Sequence, residues 1–177
     1  MADPRRQIMG MRNRADGETF ERWISNACEY YRTKGIAHIE KTPEPMKPLK
    51  PYGDRAKGQY IACFEKSAQP DYKGILFDGT GIMFEAKHTS TGKMNQNVVS
   101  ETQWESLDLY EKMGAHCYVM VSMNLQNFYR VPWDVWKQMK ELFGRKYMTE
   151  ADLEPYKLVE RQCTLLILEG VDLRDED

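Results

Sequence analysis

The stretch PDYKGILFDGTGIMFEAK, residues 70–87, contains two strand-like runs on either side of a DGTG turn. In the second run Ile82, Phe84 and Ala86 alternate with Met83, Glu85 and Lys87, so one set faces a core and the other lies on the opposite face. That second face ends in a carboxylate and an ammonium, and a further acid, Asp71, stands across the turn. Two acids and a lysine on paired strands suit metal-dependent cleavage of phosphodiesters. Asp71 and Glu85 offer anionic oxygens to Mg²⁺, with Mn²⁺ as a substitute, and the carbonyl of Ala86 offers a neutral one. Such a cation lowers the pKa of a water and offsets charge on the phosphate. Lys87, two residues from Glu85 and therefore on its face, can orient the nucleophile or stabilise developing charge.

A shared site sets a condition on the turn. If the turn held an even number of residues, Asp71 would oppose His88 and point away from Glu85 and Lys87, because a one-residue slip exchanges the faces. An odd loop or a bulge is therefore required. Gly81 can supply a left-handed residue in a three-residue turn, and Gly74 can accommodate a bulge.

Outward from this hairpin, periodicity predicts a helix over 17–33, capped by Asp16, with Phe20, Trp23, Ile24, Ala27 and Tyr31 at helical spacing. Gly35 ends it and IAHIEK follows as a strand. The next segment, about 42–66, has four prolines between Pro43 and Pro51, a long insertion of the functional or mobile kind. After the hairpin, TSTGKMNQNVV reads as a polar loop. SETQWESLDLYEKMG reads as a helix with Ser100 as its N-cap. AHCYVMVSM has the nearly continuous apolar character of a central buried strand. NFYRVP is predicted as a strand, WDVWKQMKELF as a helix and CTLLIL as a late strand. Trp133 and Trp136 beside Phe143 fit a core or dimer contact. Helix, three strands, helix and strand, with additions, make an α/β layer fold.

The chain has 177 residues, enough for one domain with a substantial core. Its 41% hydrophobic and 29% charged content is ordinary for a folded protein. No apolar run nears the roughly 20 residues that span a bilayer, and the N-terminus lacks the apolar core of a signal peptide. Cys28, Cys63, Cys117 and Cys163 form no CxxC pair and read as reduced thiols of a cytoplasmic protein. The three histidines are dispersed, so any metal is expected on oxygen ligands. Net charge is −2, but residues 1–66 carry 13 Lys/Arg against nine Asp/Glu, and residues 149–177 carry three against nine. An acidic tail thus masks a basic half suited to phosphate.

The quoted motifs also carry a family likeness. The chain resembles RecU-type Holliday junction resolvases, of the PD-(D/E)xK, restriction-endonuclease-like superfamily. GETFERWISNACEYYRTKGIAHIEKTPEP (17–45) is similar to the family's first helix, its YY pair and its strand leading to KxPxP. PDYKG is similar to DYxG, FEAKHT to FEAKxT, and TQWESLDLYEKMGAHCYVMV to the second helix and the apolar strand after it. The likeness covers about residues 12–135, and the tail from Arg145 has no counterpart in it. It implies the superfamily's αβββαβ core with a mixed sheet and a protruding stalk, in a single nuclease domain spanning 1–177. It also implies that Asp71 and Glu85 ligate metal, that Lys87 is the catalytic lysine, that Glu21 binds metal-bound water or a second ion, and that Gln103 hydrogen-bonds near the scissile phosphate. Thr102 stands where the family often has histidine.

The proline segment corresponds to the stalk, which in this family enters the open centre of a four-way junction. Here it carries Lys47, Lys50, Arg55 and Lys57 with Tyr52 and Tyr60, a mix suited to phosphates and unstacked bases. Arg14 and Lys73 complete the expected DNA contacts. The activity implied is Mg²⁺-dependent resolution of Holliday junctions by paired nicks in recombination and repair, with recombination proteins as further partners. Another PD-(D/E)xK nuclease, restriction-like or flap-directed, and a non-cleaving binder of branched DNA stay open as alternatives. Two nicks from one metal site per chain imply a homodimer. Its expected contact patch is apolar surface around the first helix and Phe128–Trp136.

Overall fold

A computed structural model of the chain describes residues 4–43, 45–53, 57–64 and 69–171. Helix α1 (Pro4–Thr33) leads into strand β1 (Ala37–Lys41), and strands β2 (Met46–Pro51) and β3 (Tyr60–Phe64) follow. Strands β4 (Tyr72–Leu76), β5 (Gly81–Thr89) and β6 (Lys93–Asn95) precede helix α2 (Glu101–Lys112). Then come β7 (His116–Met123), β8 (Asn127–Pro132), α3 (Trp133–Lys137), α4 (Met139–Phe143), β9 (Tyr147–Thr149) and α5 (Glu150–Leu153). Two short strands, β10 (Glu160–Arg161) and β11 (Thr164–Leu165), close the described chain.

The central sheet has the order β1-β4-β5-β7-β8. Pairing is antiparallel except between β5 and β7, so the sheet is mixed. The sequence α1-β1-β4-β5-α2-β7 is the expected αβββαβ order, with β2 and β3 inserted between β1 and β4. Strand alternation builds two cores. On one face Ile39, Tyr72, Leu76, Ile82 and Phe84 pack against Phe20, Ile24, Ala27 and Tyr31 of α1. On the other, Val119, Val121 and Val131 pack against Leu107, Trp133, Trp136 and Met139. Tyr72 and Phe84, cross-strand partners, stack with centroids 4.9 Å apart, an arrangement that adds about 0.5–1.5 kcal/mol beyond area burial.

Several expectations change. Helix α1 begins at Pro4 rather than after Asp16. The residues between are mostly good helix formers, and proline is tolerated at a first helical position. The expected long helix after Pro132 divides at Gln138, which leaves helical geometry with ψ 16. The carbonyls of Trp136 and Lys137 accept from Gln96 Nε2, which draws them from the helical ladder. The expected polar loop after Thr89 contains β6, paired with β9, and a single 3₁₀ turn, Gln96–Val98. Of CTLLIL only Thr164 and Leu165 form a strand; Ile167 and Leu168 turn inward to the α1 core. There Tyr31 Oη accepts from Leu168 N at 3.2 Å. Phe128, Tyr129, Val131, Trp133 and Trp136 are all buried, so the core absorbs the Phe128–Trp136 patch expected at a dimer contact.

Proline-rich β2 and β3 form a two-stranded sheet of their own, and β2 is exposed along its whole length. The register shifts between Pro48 and Lys50, where Leu49 is bulged out. Proline cannot donate to a ladder and is confined to edges and bulges, which explains strand structure in a segment so rich in it.

Candidate active site

The β4–β5 turn meets the parity condition. Leu76 N donates to Thr80 O at 2.8 Å and Gly79 N to Leu76 O at 3.0 Å, closing a three-residue loop of Phe77, Asp78 and Gly79. The left-handed residue is Gly79, φ +89°, and not Gly81. Asp78 Oδ1 accepts from Thr80 N at 2.8 Å and stiffens the turn. Gly74 is not bulged either; it pairs regularly with Ile82 and Ile39. Its lack of a side chain serves a close approach, because a Cβ there would meet the His38 carbonyl and lie 2.6 Å from Ile39 Cα.

With Tyr72 opposite Phe84, the next pair toward the strand ends is Asp71 and Glu85. Asp71 N donates to Glu85 Oε1 at 3.3 Å and Ala86 N to Asp71 Oδ2 at 3.0 Å. Lys87 Nζ lies 2.7 Å from Glu85 Oε2 and 3.4 Å from Asp71 Oδ2, bridging both acids. Glu85 is completely buried, whereas Asp71 is 29% exposed and so forms the open side. Desolvation pushes the Glu85 carboxyl up to about 8; Lys87 opposes this and the charge of Asp71 reinforces it. Burial alone would lower the Lys87 pKa, but Glu85 and Asp71 outweigh it and raise it, so the ammonium stays charged.

Gln103 reaches the cluster from α2. Its Nε2 donates to Glu85 Oε2 at 2.5 Å. Its Oε1 accepts from Ser100 N at 3.0 Å, while Ser100 Oγ accepts from Gln103 N at 3.3 Å, a reciprocal capping box. The cap fixes which end of the amide faces the strand. Gln103 therefore joins Asp71, Glu85 and Lys87.

Glu21 does not. Its Oε2 is 2.6 Å from Lys41 Nζ, on the α1 side of the sheet. Among the described residues no three His, Cys, Asp or Glu side chains are grouped to hold one metal ion. Tyr72 Oη donates to the Glu21 carbonyl at 2.8 Å and contacts Ser25 Oγ at 3.0 Å, fixing this turn of α1 over β4.

The expected DNA-contacting residues occupy three places. Lys47, Lys50, Tyr52, Lys57 and Tyr60 are exposed on the β2–β3 arm and its connection, and Arg55 lies outside the described residues. Lys73 shares the face of Asp71, two residues along β4, and donates to Gln69 Oε1 at 2.8 Å. Arg14 is exposed on the first half of α1. Sequence reasoning missed the tether of that half-helix: His88 Nδ1 contacts Ser122 Oγ at 3.1 Å, and His88 Nε2 lies 3.7 Å from Asp16 Oδ2. Ser90 Oγ donates to Asn13 Oδ1 at 2.7 Å nearby. Partners more than 70 positions apart leave no periodic signal in the chain.

The donor set fits a divalent cation. Mg²⁺ is usually held by one or two carboxylates and keeps several waters. Asp71 and Glu85 supply two carboxylates with one lysine between them, and a buried acid with a raised pKa has unmet demand for positive charge.

A sequence model of the family described as Recombination protein U matches residues 15–172. The match includes the tail from Arg145, for which the motifs had offered no counterpart. A Holliday junction resolvase RecU of Bacillus pumilus (strain SAFR-032) is 31% identical over 161 residues, 83% of this chain and 78% of that protein. Another, from Streptococcus gordonii, is 31% identical over 120 residues, 66% of this chain and 60% of its own length. Among solved structures, Hjc, a Holliday junction resolvase of Archaeoglobus fulgidus, matches with a TM-score of 0.48 and 14% identity, over 80% of this chain and 89% of that one.

Proposed function

We propose that this chain, which belongs to the Recombination protein U family, is a Mg²⁺-dependent endonuclease that resolves four-way DNA junctions by paired nicks. The observation that carries this reading is the convergence of Asp71, Glu85, Lys87 and Gln103 on one face of the β4–β5 hairpin. Asp71, Glu85 and the Ala86 carbonyl would hold the metal. When bound, Mg²⁺ would lower the pKa of the attacking water and offset charge on the phosphate. Lys87 keeps its proton and stabilises negative charge developing at the phosphate. Gln103 orients the Glu85 carboxylate through the amide that its own helix cap immobilises. Glu21, paired with Lys41, stands outside this set.

DNA affinity comes from elsewhere. The β2–β3 arm presents Lys47, Lys50 and Lys57 with Tyr52 and Tyr60, charges for phosphates and rings for unstacked bases. Arg55 belongs to the same basic set by sequence, and Arg14 and Lys73 extend it toward the site. Two chains act on one junction as a homodimer, in the cytoplasm, alongside recombination proteins. No helix among the described residues is long and apolar enough to cross a membrane.

The test offers purified protein a four-way junction, a flap and a linear duplex side by side with Mg²⁺. Paired nicks are expected in the junction, with little cleavage of duplex. Asp71→Asn, Glu85→Gln and Lys87→Ala should each abolish cleavage and leave junction binding largely intact. Equal cleavage of all three substrates would reject the junction reading, and wild-type rates from any of the three variants would reject the site.

A further inference from the structure

Beside the first turn of α2 lies an open cleft of about 410 Å³, lined by Asn95, Gln96, Asn97, Val99, Trp104 and Lys146. It begins one residue from Gln103, whose amide touches Glu85. Its framework is fixed by a buried amide. Gln96 Nε2 donates to the carbonyls of Trp136, at 2.8 Å, and Lys137, and Gln96 N donates to Lys146 O at 3.0 Å. The β6–β9 pairing sets Asn95 opposite Tyr147 and holds the other rim.

The side chains left facing the cleft have the chemistry of a nucleotide. Trp104 is partly exposed, and buried Trp133 holds its ring edge-to-face at 4.7 Å, so the ring is presented in one orientation. The amides of Asn95 and Asn97 are exposed and make no hydrogen bond among the described residues. Lys146 is exposed and has no carboxylate partner among them. Lys93, on the same two-stranded unit, lies over the Tyr147 ring at 5.1 Å and adds a second positive charge. An aromatic ring, free amides and the ammonium of Lys146 match a base face, a base edge and a phosphate.

We infer that this cleft is a subsite for one nucleotide of the cleaved strand next to the scissile phosphate, with its base against Trp104, its edge on Asn95 and Asn97, and its phosphate at Lys146. The inference rests on the nuclease reading above and deepens it: the cleft decides where along a junction the cut falls. A four-way junction supplies the ligand, because bases at the branch point have lost stacking on one side and turn outward at less cost than bases within a duplex.

The test uses the full chain. On a junction whose branch point migrates through many sequences, Asn95→Ala and Asn97→Ala should redistribute the cuts, with the preferred site losing about fivefold or more of its advantage. Lys146→Ala should weaken binding of every sequence alike and lower the salt dependence of affinity by about one charge. A merely structural defect slows all cuts together and leaves their distribution unchanged. In the Asp71→Asn background, 2-aminopurine placed in turn on either side of the branch point should be quenched at one position, and Trp104→Leu should remove that quenching. An unchanged cut-site distribution in both asparagine variants overturns the subsite, as does quenching that survives loss of Trp104. If the unsubstituted protein cuts no junction, the nuclease reading fails, and the fluorescence arm still decides the cleft.

Discussion

Glu85 concentrates the electrostatics of this molecule in one side chain. It has no exposure to water, and its pKa is pushed up to about 8 by that burial against an ordinary 4.5. Folding therefore favours the protonated acid. The resulting stabilisation is fully present below 4.5 and is lost as pH rises through about 8. Urea unfolding of the metal-free protein between pH 5 and 9 should show wild type losing stability relative to Glu85→Gln as pH rises. A difference that is flat or grows in the opposite sense would contradict the desolvated environment assigned to this group. Gly74 is the steric counterpart. A methyl group there meets β1 backbone, which cannot move aside like a side chain end, so Gly74→Ala should cost about 1–3 kcal/mol or more of stability. A midpoint in urea equal to wild type would count against so close a β1–β4 contact.

At the level of elements, two local devices assemble the site. A three-residue turn decides which face Asp71 takes, and a capping box decides where the Gln103 amide points. The third device, the β2–β3 arm, stands apart from both cores: among the described residues its strands pair only with each other. Deleting about residues 45–63 should therefore leave the thermal unfolding of the remainder nearly unchanged. It should lower junction selectivity more than duplex affinity. Junction cleavage as efficient as that of the intact chain would remove the arm from substrate recognition.

The whole molecule is a mixed sheet between two apolar layers, and its last described residues belong to one of them. Leu165, Ile167, Leu168 and Val171 pack with α1, so the part of the tail before residue 172 is core as well as charge. The acidic end, 172–177, lies outside the described residues. Burial of Phe128 and Trp133 removes one candidate contact between copies. Exposed apolar side chains persist at Tyr30 on α1 and at Ile75 and Phe77 near the end of β4. Paired nicking still calls for two sites on one junction, and closed two-fold dimers are the commonest oligomers. Sedimentation at micromolar concentration should report about twice the 20.8 kDa chain mass. A stable monomer that makes both nicks in one binding event would defeat the paired-site account.

The sequence by itself determined what depends on near neighbours. Alternation over residues 82–87 assigned the faces of β5, helical spacing located the buried stripe of α1, and Ser100 marked the start of α2. The juxtaposition of Asp71, Glu85 and Lys87 was legible because Asp71 immediately precedes β4 and the other two lie on its hairpin partner β5. Tertiary structure decided what depends on distant partners. The register could be narrowed to an odd loop or a bulge, but the choice of Gly79 over Gly81 or a bulge at Gly74 rests on hydrogen bonds across the folded turn. The break at Gln138 and the inward path of Ile167 each follow a contact tens of residues away. The cleft at Trp104 is of the same kind, since β6 and β9 that frame it are more than 50 residues apart and too short to show a period. Burial and hydrogen bonding act between surfaces brought together by the whole chain, and no window of local sequence contains both surfaces.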